Sequence, residues 1–343
     1  MEYTGKNGEN PREFNGIGLA LGGGMARGFC HIGVLKTLDK YGVRPTTITG
    51  TSIGAVVGAA YLTGKMPELE QWARSLNRYK ILSYLDLRVR SAGLIGGRKL
   101  IALLHENFGE MNIEDLPHPL TVVAADLATG HEVWLQKGNL VENIRASFAL
   151  PGVFPPVKIG GRYLVDGALV NPCPISVCQA QGARMTIAVD LHADMIGKAT
   201  KPGASYQTVA GFDIFNDKDI SPDKQKPFLE NPISNKLFHR EPAAPSLFGV
   251  MVSALGIMQD RLTRSRLAGD PPDVHIKPQI GHIGMLEFER ADDLIRLGAE
   301  ATERVMPEIM AGINLFLPKT YKPGYQPSSD LPSQDDDSEE DLF

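Results

Sequence analysis

The sequence predicts an α/β fold with a largely parallel central sheet flanked by helices. Two observations carry that expectation. Short apolar runs closed by glycine or polar residues recur along the chain, as at Ile17–Leu21, Leu120–Ala125 and Met185–Leu191. Segments whose apolar residues fall at helical spacing lie between them, and strands that alternate with helices build parallel sheets covered on their faces. The chain has 343 residues, 43% hydrophobic and 22% charged, ordinary values for a chain that buries a sizeable core.

The elements follow in order. Ile17–Leu21 is a short buried strand broken by Gly22-Gly23-Gly24. From Ala26, residues Phe29, Ile32, Gly33, Leu35 and Leu38 repeat at helical spacing as far as Gly42. Ile48 lies in the next strand, closed by Gly50, and helical character resumes at Ile53 and stops at Gly64. Helices are expected over Pro67–Leu76 and Arg98–Phe108. Leu120–Ala125 is a strand, Thr129-Gly130 a turn, and His131–Leu135 the returning strand of a hairpin. Val141–Ala149 is helical, Lys158–Val165 holds two short strands around Gly160-Gly161, and Pro174–Gln181 is a short helix. After the strand Met185–Leu191, residues 195–245 are rich in Lys, Asp, Pro and Asn with weak periodicity. Leu247–Leu267 is a long amphipathic helix with Met251, Leu255, Met258 and Leu262 on its apolar face. Val274–Ile276 is a strand, and Ala291–Leu315 a helical stretch broken near Pro307.

Charge narrows the function classes. The net charge is −5, but seven acids and no base lie between Ser328 and Phe343; the rest carries 33 acids against 35 bases. A near-neutral body has no electrostatic footprint for nucleic acid. Met1–Gly16 is polar, without the apolar core of a secretory signal. Thr49–Gly64, uncharged and largely apolar, is too short to span a bilayer. Three cysteines, Cys30, Cys173 and Cys178, lack zinc spacing and read as free thiols, so a cytoplasmic location is expected.

Three constellations carry chemistry. Gly50-Thr51-Ser52-Ile53-Gly54 is a Gly-x-Ser-x-Gly placed where a strand gives way to a helix. A sharp turn there exposes the serine hydroxyl, and the helix N-terminus favours negative charge beside it. The plainer reading is a tight turn with a capping serine. Gly22-Gly23-Gly24-Met25-Ala26-Arg27-Gly28 is a glycine-rich strand-to-helix turn whose amides face an anion. As a dinucleotide fingerprint it fails, because its glycine spacing is one residue too long and the next strand ends in Thr49-Gly50 rather than an acid. As an oxyanion hole it gains from Ser52 at the end of the next strand. Arg27 then anchors the loop or attracts a phosphate head group. Asp166-Gly167-Ala168 closes an apolar strand, where an acid followed by glycine is often only a turn former. None of the eight histidines is selected as a base by its pattern; His192, just after a strand, comes nearest.

The ordered set GGGMARG at 22–28, GTSIG at 50–54 and DGA at 166–168 resembles the patatin-like phospholipase family. RASFALPGVFPPV at 145–157, DGALVNPCPI at 166–175 and RLAGDPPDVHI at 266–276 are similar to its bacterial RssA-like and neuropathy-target-esterase-type members. The resemblance covers about residues 16 to 316 and implies a three-layer patatin-like fold. It implies a Ser-Asp dyad, with Ser52 as nucleophile and Asp166 as proton acceptor. Gly22, Gly23 and Gly24, chiefly the last two, form the oxyanion hole, supported by Arg27, Gly28, Gly50, Gly54 and Gly167. The substrate implied is a fatty-acyl ester of a lipid or phospholipid, cleaved as by a phospholipase A or lysophospholipase, without cofactor or metal. A general carboxylesterase or thioesterase on the same dyad, and a regulatory protein with little turnover, are the other readings.

The expected organisation is a flexible N-terminus over 1–15, a catalytic core over 16–195, an insertion or lid over 196–246, a C-terminal helical part over 247–316 packed on the core, and a disordered acidic tail over 317–343. The apolar face of Leu247–Leu262 packs on the sheet or makes peripheral contact with a membrane.

Overall fold

The computed structural model describes residues 16–77, 80, 97–194 and 247–317. The expectations for 1–15, for 196–246 and for the tail from 318 onward lie outside the described residues. Eight strands form one mixed, mostly parallel sheet. They are β1 (Ile17–Leu21), β2 (Thr47–Thr51), β3 (Leu120–Asp126), β4 (Glu132–Leu135), β5 (Val157–Ile159), β6 (Arg162–Asp166), β7 (Met185–Val189) and β8 (Val274–Ile276). The order is β5-β6-β3-β2-β1-β7-β8, with β4 also paired to β3. Strands β3, β2, β1, β7 and β8 run parallel; β4 and β6 pair antiparallel with β3, and β5 with β6. The hairpin expected around Gly130 is the β3–β4 pair.

Among the described residues the α-helices are α1 (Cys30–Lys40), α2 (Ile53–Leu62), α3 (Met66–Ser75), α4 (Arg98–Phe108), α5 (Leu140–Ser147), α6 (Ile175–Ala180), α7 (Leu247–Gly269) and α8 (Ala291–Phe316). The stretch expected to open the first helix, Met25–Phe29, is a 3-10 turn that leads into α1. Every residue of β1, β2, β3 and β7 is buried, as in a sheet covered on both faces.

The two faces differ in chemistry. Ile17, Leu19 and Leu21 of β1 and Met185, Ile187 and Val189 of β7 join the large core with Phe29, Ile32, Leu35 and Leu38 and with Leu294 and Ile309 of α8. Ala20 and Ala188 face a smaller cluster with Cys173, Ile175 and Cys178. Small side chains there let α6 lie close to the sheet. Thr49 and Thr51 donate to the carbonyls of Pro174 and Asn171, which fastens the segment after β6 to β2.

Helix α8 runs unbroken through Pro307, contrary to the expected break. Pro307 and Glu303, the residue whose carbonyl loses its donor, are both exposed, so that carbonyl can turn to water. Leu317, placed in the tail by the sequence, is buried and donates its N–H to Ile313. The apolar face expected for α7 also needs correction. Met251 and Leu255 pack against a cluster with Leu150 and Val153, but Met258 is 60% exposed. The buried stripe is Val252, Gln259, Asp260 and Thr263. Three of its members are polar and partnered, Gln259 with His192, Asp260 with Arg264 and Thr263 with the Gln259 carbonyl, so a search by hydrophobicity misplaces it. Among the described residues no helix is long and apolar enough to cross a membrane.

Candidate active site

Strand register brings the serine and the aspartate together. Thr51, the last residue of β2, lies opposite Val123, and Ala124 lies opposite Asp166, the last residue of β6. Because β4 occupies the other edge of β3 along Val122–Ala125, β2 and β6 share one edge, and Ser52, leaving β2, meets Asp166 at the end of β6. Its hydroxyl donates to Asp166 Oδ2 over 2.9 Å. Both residues are buried.

The turn that presents Ser52 is strained. Ser52 has φ 56 and ψ −122, and Met25 has φ 53; these are the non-glycine residues of positive φ among the described residues. Such strain persists where its surroundings hold it. A Cβ on Gly50 would meet the backbone of Ala55, and one on Gly54 would collide with the Leu21 carbonyl. Glycine at both positions lets α2 fold back onto the strands it leaves. Gly28 and Gly167 sit equally close, against Ile53 and the Val123 carbonyl.

Ser147 holds the turn from beneath and was missed by sequence reasoning. Its hydroxyl accepts from the Ser52 N–H (2.8 Å) and donates to the Val123 carbonyl (2.6 Å). It ends α5, whose start is capped by Asn139 accepting from the Glu142 N–H. A serine at a helix end gives no signal of this role in sequence.

Asp166 is held toward its neutral form. Burial raises its pKa from 3.8 to about 7, opposed by hydrogen bonds from the Ala168 N–H and the Ser52 hydroxyl. The Ala168 bond to Oδ1 is 2.8 Å long and leaves Oδ2 to the serine.

The glycine loop lies beside Ser52: a Cβ built on Gly23 would stand 3.4 Å from the serine Cβ. Its amides are not equivalent. Gly22 N–H donates to Val189 and Gly23 N–H to Pro172, at 3.2 and 2.8 Å. The amides of Gly24 and Met25 have no partner among the described residues. Of the three expected oxyanion donors, Gly22 and Gly23 thus have their N–H groups engaged; Gly24 is free, and beside it the Met25 amide, which the sequence did not single out. His31 fixes the loop from within α1, with Nε2 2.7 Å from the Gly22 carbonyl. Its Nδ1 is buried without a partner, so the ring is assigned as the neutral Nε2–H tautomer. Burial lowers its pKa to about 4, against the bond to Gly22.

Arg27 is buried and donates from Nε to the Ile283 carbonyl at 2.8 Å. Burial lowers its pKa to about 10, although Cys30, Glu287 and Asp194 favour its charge. Of the two readings of Arg27, this position supports the loop anchor rather than the head-group contact. His192 does not approach the serine: its Nε2 lies 3.2 Å from Gln259 Oε1 and its N–H donates to Asp190.

Ser52 and Asp166 open into a cavity of about 990 Å³, part of it in open solvent. Met25, Phe29, Phe148, Leu150, Phe154 and Phe288 line it together with the facing sides of α2, α3 and α4. An acid and a hydroxyl in the wall of an apolar cavity suit attack on an ester that carries a hydrocarbon chain.

Comparison with known proteins agrees with this picture. The family profile described as patatin-like phospholipase matches residues 19–178. An uncharacterized NTE family protein of Mycobacterium tuberculosis is 35% identical over 319 residues, covering 82% of this chain and 89% of that protein. The neuropathy target esterase sws of Drosophila melanogaster is 34% identical over 184 residues, 52% of this chain and 13% of that much longer protein. The mouse patatin-like phospholipase domain-containing protein 6 is 34% identical over 184 residues, 52% of this chain and 14% of its own length. The chain belongs to the patatin-like phospholipase family, in the branch that holds the NTE family proteins.

Proposed function

We propose that this protein hydrolyses fatty-acyl esters of lipids, in the manner of a phospholipase A or lysophospholipase, through Ser52 and Asp166. The observation that carries the proposal is the 2.9 Å hydrogen bond from the Ser52 hydroxyl to a buried carboxyl whose pKa is raised to about 7. An aspartate of ordinary pKa is a weak base; this one takes a proton near neutrality.

In the first half-reaction Asp166 accepts the Ser52 proton as the serine oxygen attacks the ester carbonyl. The free amides of Gly24 and Met25, at the end of the loop that abuts Ser52, receive the oxyanion. Each well-placed donor lowers the barrier by ~3 kcal/mol. Collapse breaks the ester bond, and the alcohol or lyso-lipid leaves with the proton held by Asp166. In the second half-reaction Asp166 takes a proton from water, hydroxide attacks the acyl-serine, and the fatty acid departs as Ser52 recovers its proton.

Labelling by a fluorophosphonate tests this reading in wild type, Ser52→Ala and Asp166→Asn, each first shown to be folded by circular dichroism. Labelling in wild type, lost in Ser52→Ala and sharply reduced in Asp166→Asn, is expected. A folded wild type that resists the probe, or an Asp166→Asn that labels at the wild-type rate, refutes it.

A further inference from the structure

We infer that the cavity is a ruler for one acyl chain laid along α2, and that the chain meets its limit at the Lys65–Glu68 pair just beyond Ala60. This rests on Ser52 as the acyl acceptor. The wall begins at Ser52 and continues through Ile53, Val56 and Ala60. These positions recur at helical spacing and form one stripe of α2. The opposite walls are apolar stripes of α3 and α4, among them Trp72 and Leu103. Beyond Ala60, where α2 gives way to α3, the charged side chains of Lys65 and Glu68 join the wall. Lys65 Nζ and Glu68 Oε1 lie 3.4 Å apart, both substantially exposed to solvent.

Length supports the assignment. The ten residues of α2 rise by about 15 Å along the helix axis. Half of a bilayer's hydrocarbon core, the depth filled by one acyl chain, is also about 15 Å. A chain esterified at Ser52 and laid along α2 therefore reaches the Lys65–Glu68 pair at about the length of a membrane acyl group. Further methylenes meet charge and water. One apolar stripe per wall accommodates one chain, so a second acyl group of a diacyl lipid would lie outside the cavity.

The test needs no turnover. The chain has two tryptophans, Trp72 in the cavity wall and Trp134 on the sheet edge, 43% exposed. In a Ser52→Ala, Trp134→Phe background, Trp72 emission reports binding of saturated fatty acids from octanoate to eicosanoate. Affinity is expected to rise about fourfold per methylene, the gain from burying one CH2, and then to level off once the chain reaches the Lys65–Glu68 pair. Val56 and Ala60 lie about 6 and about 12 Å along the axis from Ser52. The plateau should move to shorter chains in Ala60→Phe and further in Val56→Phe. If Ala60→Phe does not fold, Val56→Phe carries the comparison, because Val56 is only partly buried. A Trp72 signal that ignores chain length, or a plateau unmoved in the folded variants, overturns the ruler. Fluorophosphonate labelling of Ser52 in the otherwise wild-type chain separates the two failures: a labelled serine without a length response sinks the ruler alone, and a length response without labelling sinks the nucleophile.

Discussion

Asp166→Asn should abolish turnover and yet stabilise the fold at neutral pH. The folded protein holds the carboxyl at about 7 because burial disfavours its charge, whereas the unfolded chain returns it to 3.8. Between these values the folded state binds more protons than the unfolded state, so stability falls as pH rises. The loss begins near pH 4 and is nearly complete near pH 8; the two pKa values set it at roughly 4 kcal/mol. Asparagine keeps the shape, and its side-chain oxygen can still accept from Ala168, but it carries no charge to desolvate. The variant should therefore gain up to that amount near pH 8 and almost nothing near pH 4. Urea unfolding of both proteins at a series of pH values measures it. The difference between their curves is the quantity to read, because His31 acts in the opposite direction. Its folded pKa is lowered to about 4, so it adds stability as pH rises toward the unfolded value of 6.5, equally in both proteins. A difference curve that stays flat from pH 4 to pH 8 would falsify the raised pKa, and with it the carboxylate as a base suited to neutral pH. The same ionisation gives kcat/KM of the wild type an acidic limb with a midpoint near 7.

Three more outcomes follow from the packing. Ser147→Ala leaves the buried Ser52 N–H without its acceptor, which should cost roughly 1–3 kcal/mol of stability and lower kcat more than it raises KM, since the nucleophile's turn loosens; a variant with wild-type kcat shows that the turn is held elsewhere. Gly298 lies where α8 crosses α1, and a Cβ there would collide with the Cys30 carbonyl, so Gly298→Ala should lose roughly 1–3 kcal/mol in urea unfolding. Its activity per folded molecule should be unchanged, and an unchanged unfolding midpoint would mean that the helices part without strain. Cys30, Cys173 and Cys178 are buried, and burial raises all three thiols, Cys178 to about 12, so iodoacetamide near pH 8 should modify none until the protein is unfolded; rapid labelling of the native protein would reveal local opening around these thiols.

What the sequence discloses about this protein depends on how local the cause is. Strand β1 and the helix after it announce themselves because apolar spacing and a glycine break are properties of neighbouring residues. Ser52 and Asp166 are legible for a related reason: Ser52 follows a strand between glycines two residues to either side, Asp166 ends a strand and precedes a glycine, and register then does the rest. The antiparallel return of β6 onto β3 was not legible. Its alternation reads the same in either direction, yet that pairing is what sets Asp166 opposite Ala124, where it meets the serine. Ser147 was invisible because its partners, the Ser52 amide and the Val123 carbonyl, are backbone groups brought in by β2 and β3. Likewise, the residue names Gly22-Gly23-Gly24 fix where an anion-binding loop can form but not which amides remain free. That choice falls to the carbonyls of Val189 and Pro172, which belong to segments far along the chain. Glycine supplies the freedom, and distant backbone decides how it is used. The motif therefore locates the candidate oxyanion hole to within a residue, Gly24 included, and only the hydrogen-bond pattern shows that the loop amides left free among the described residues are those of Gly24 and Met25.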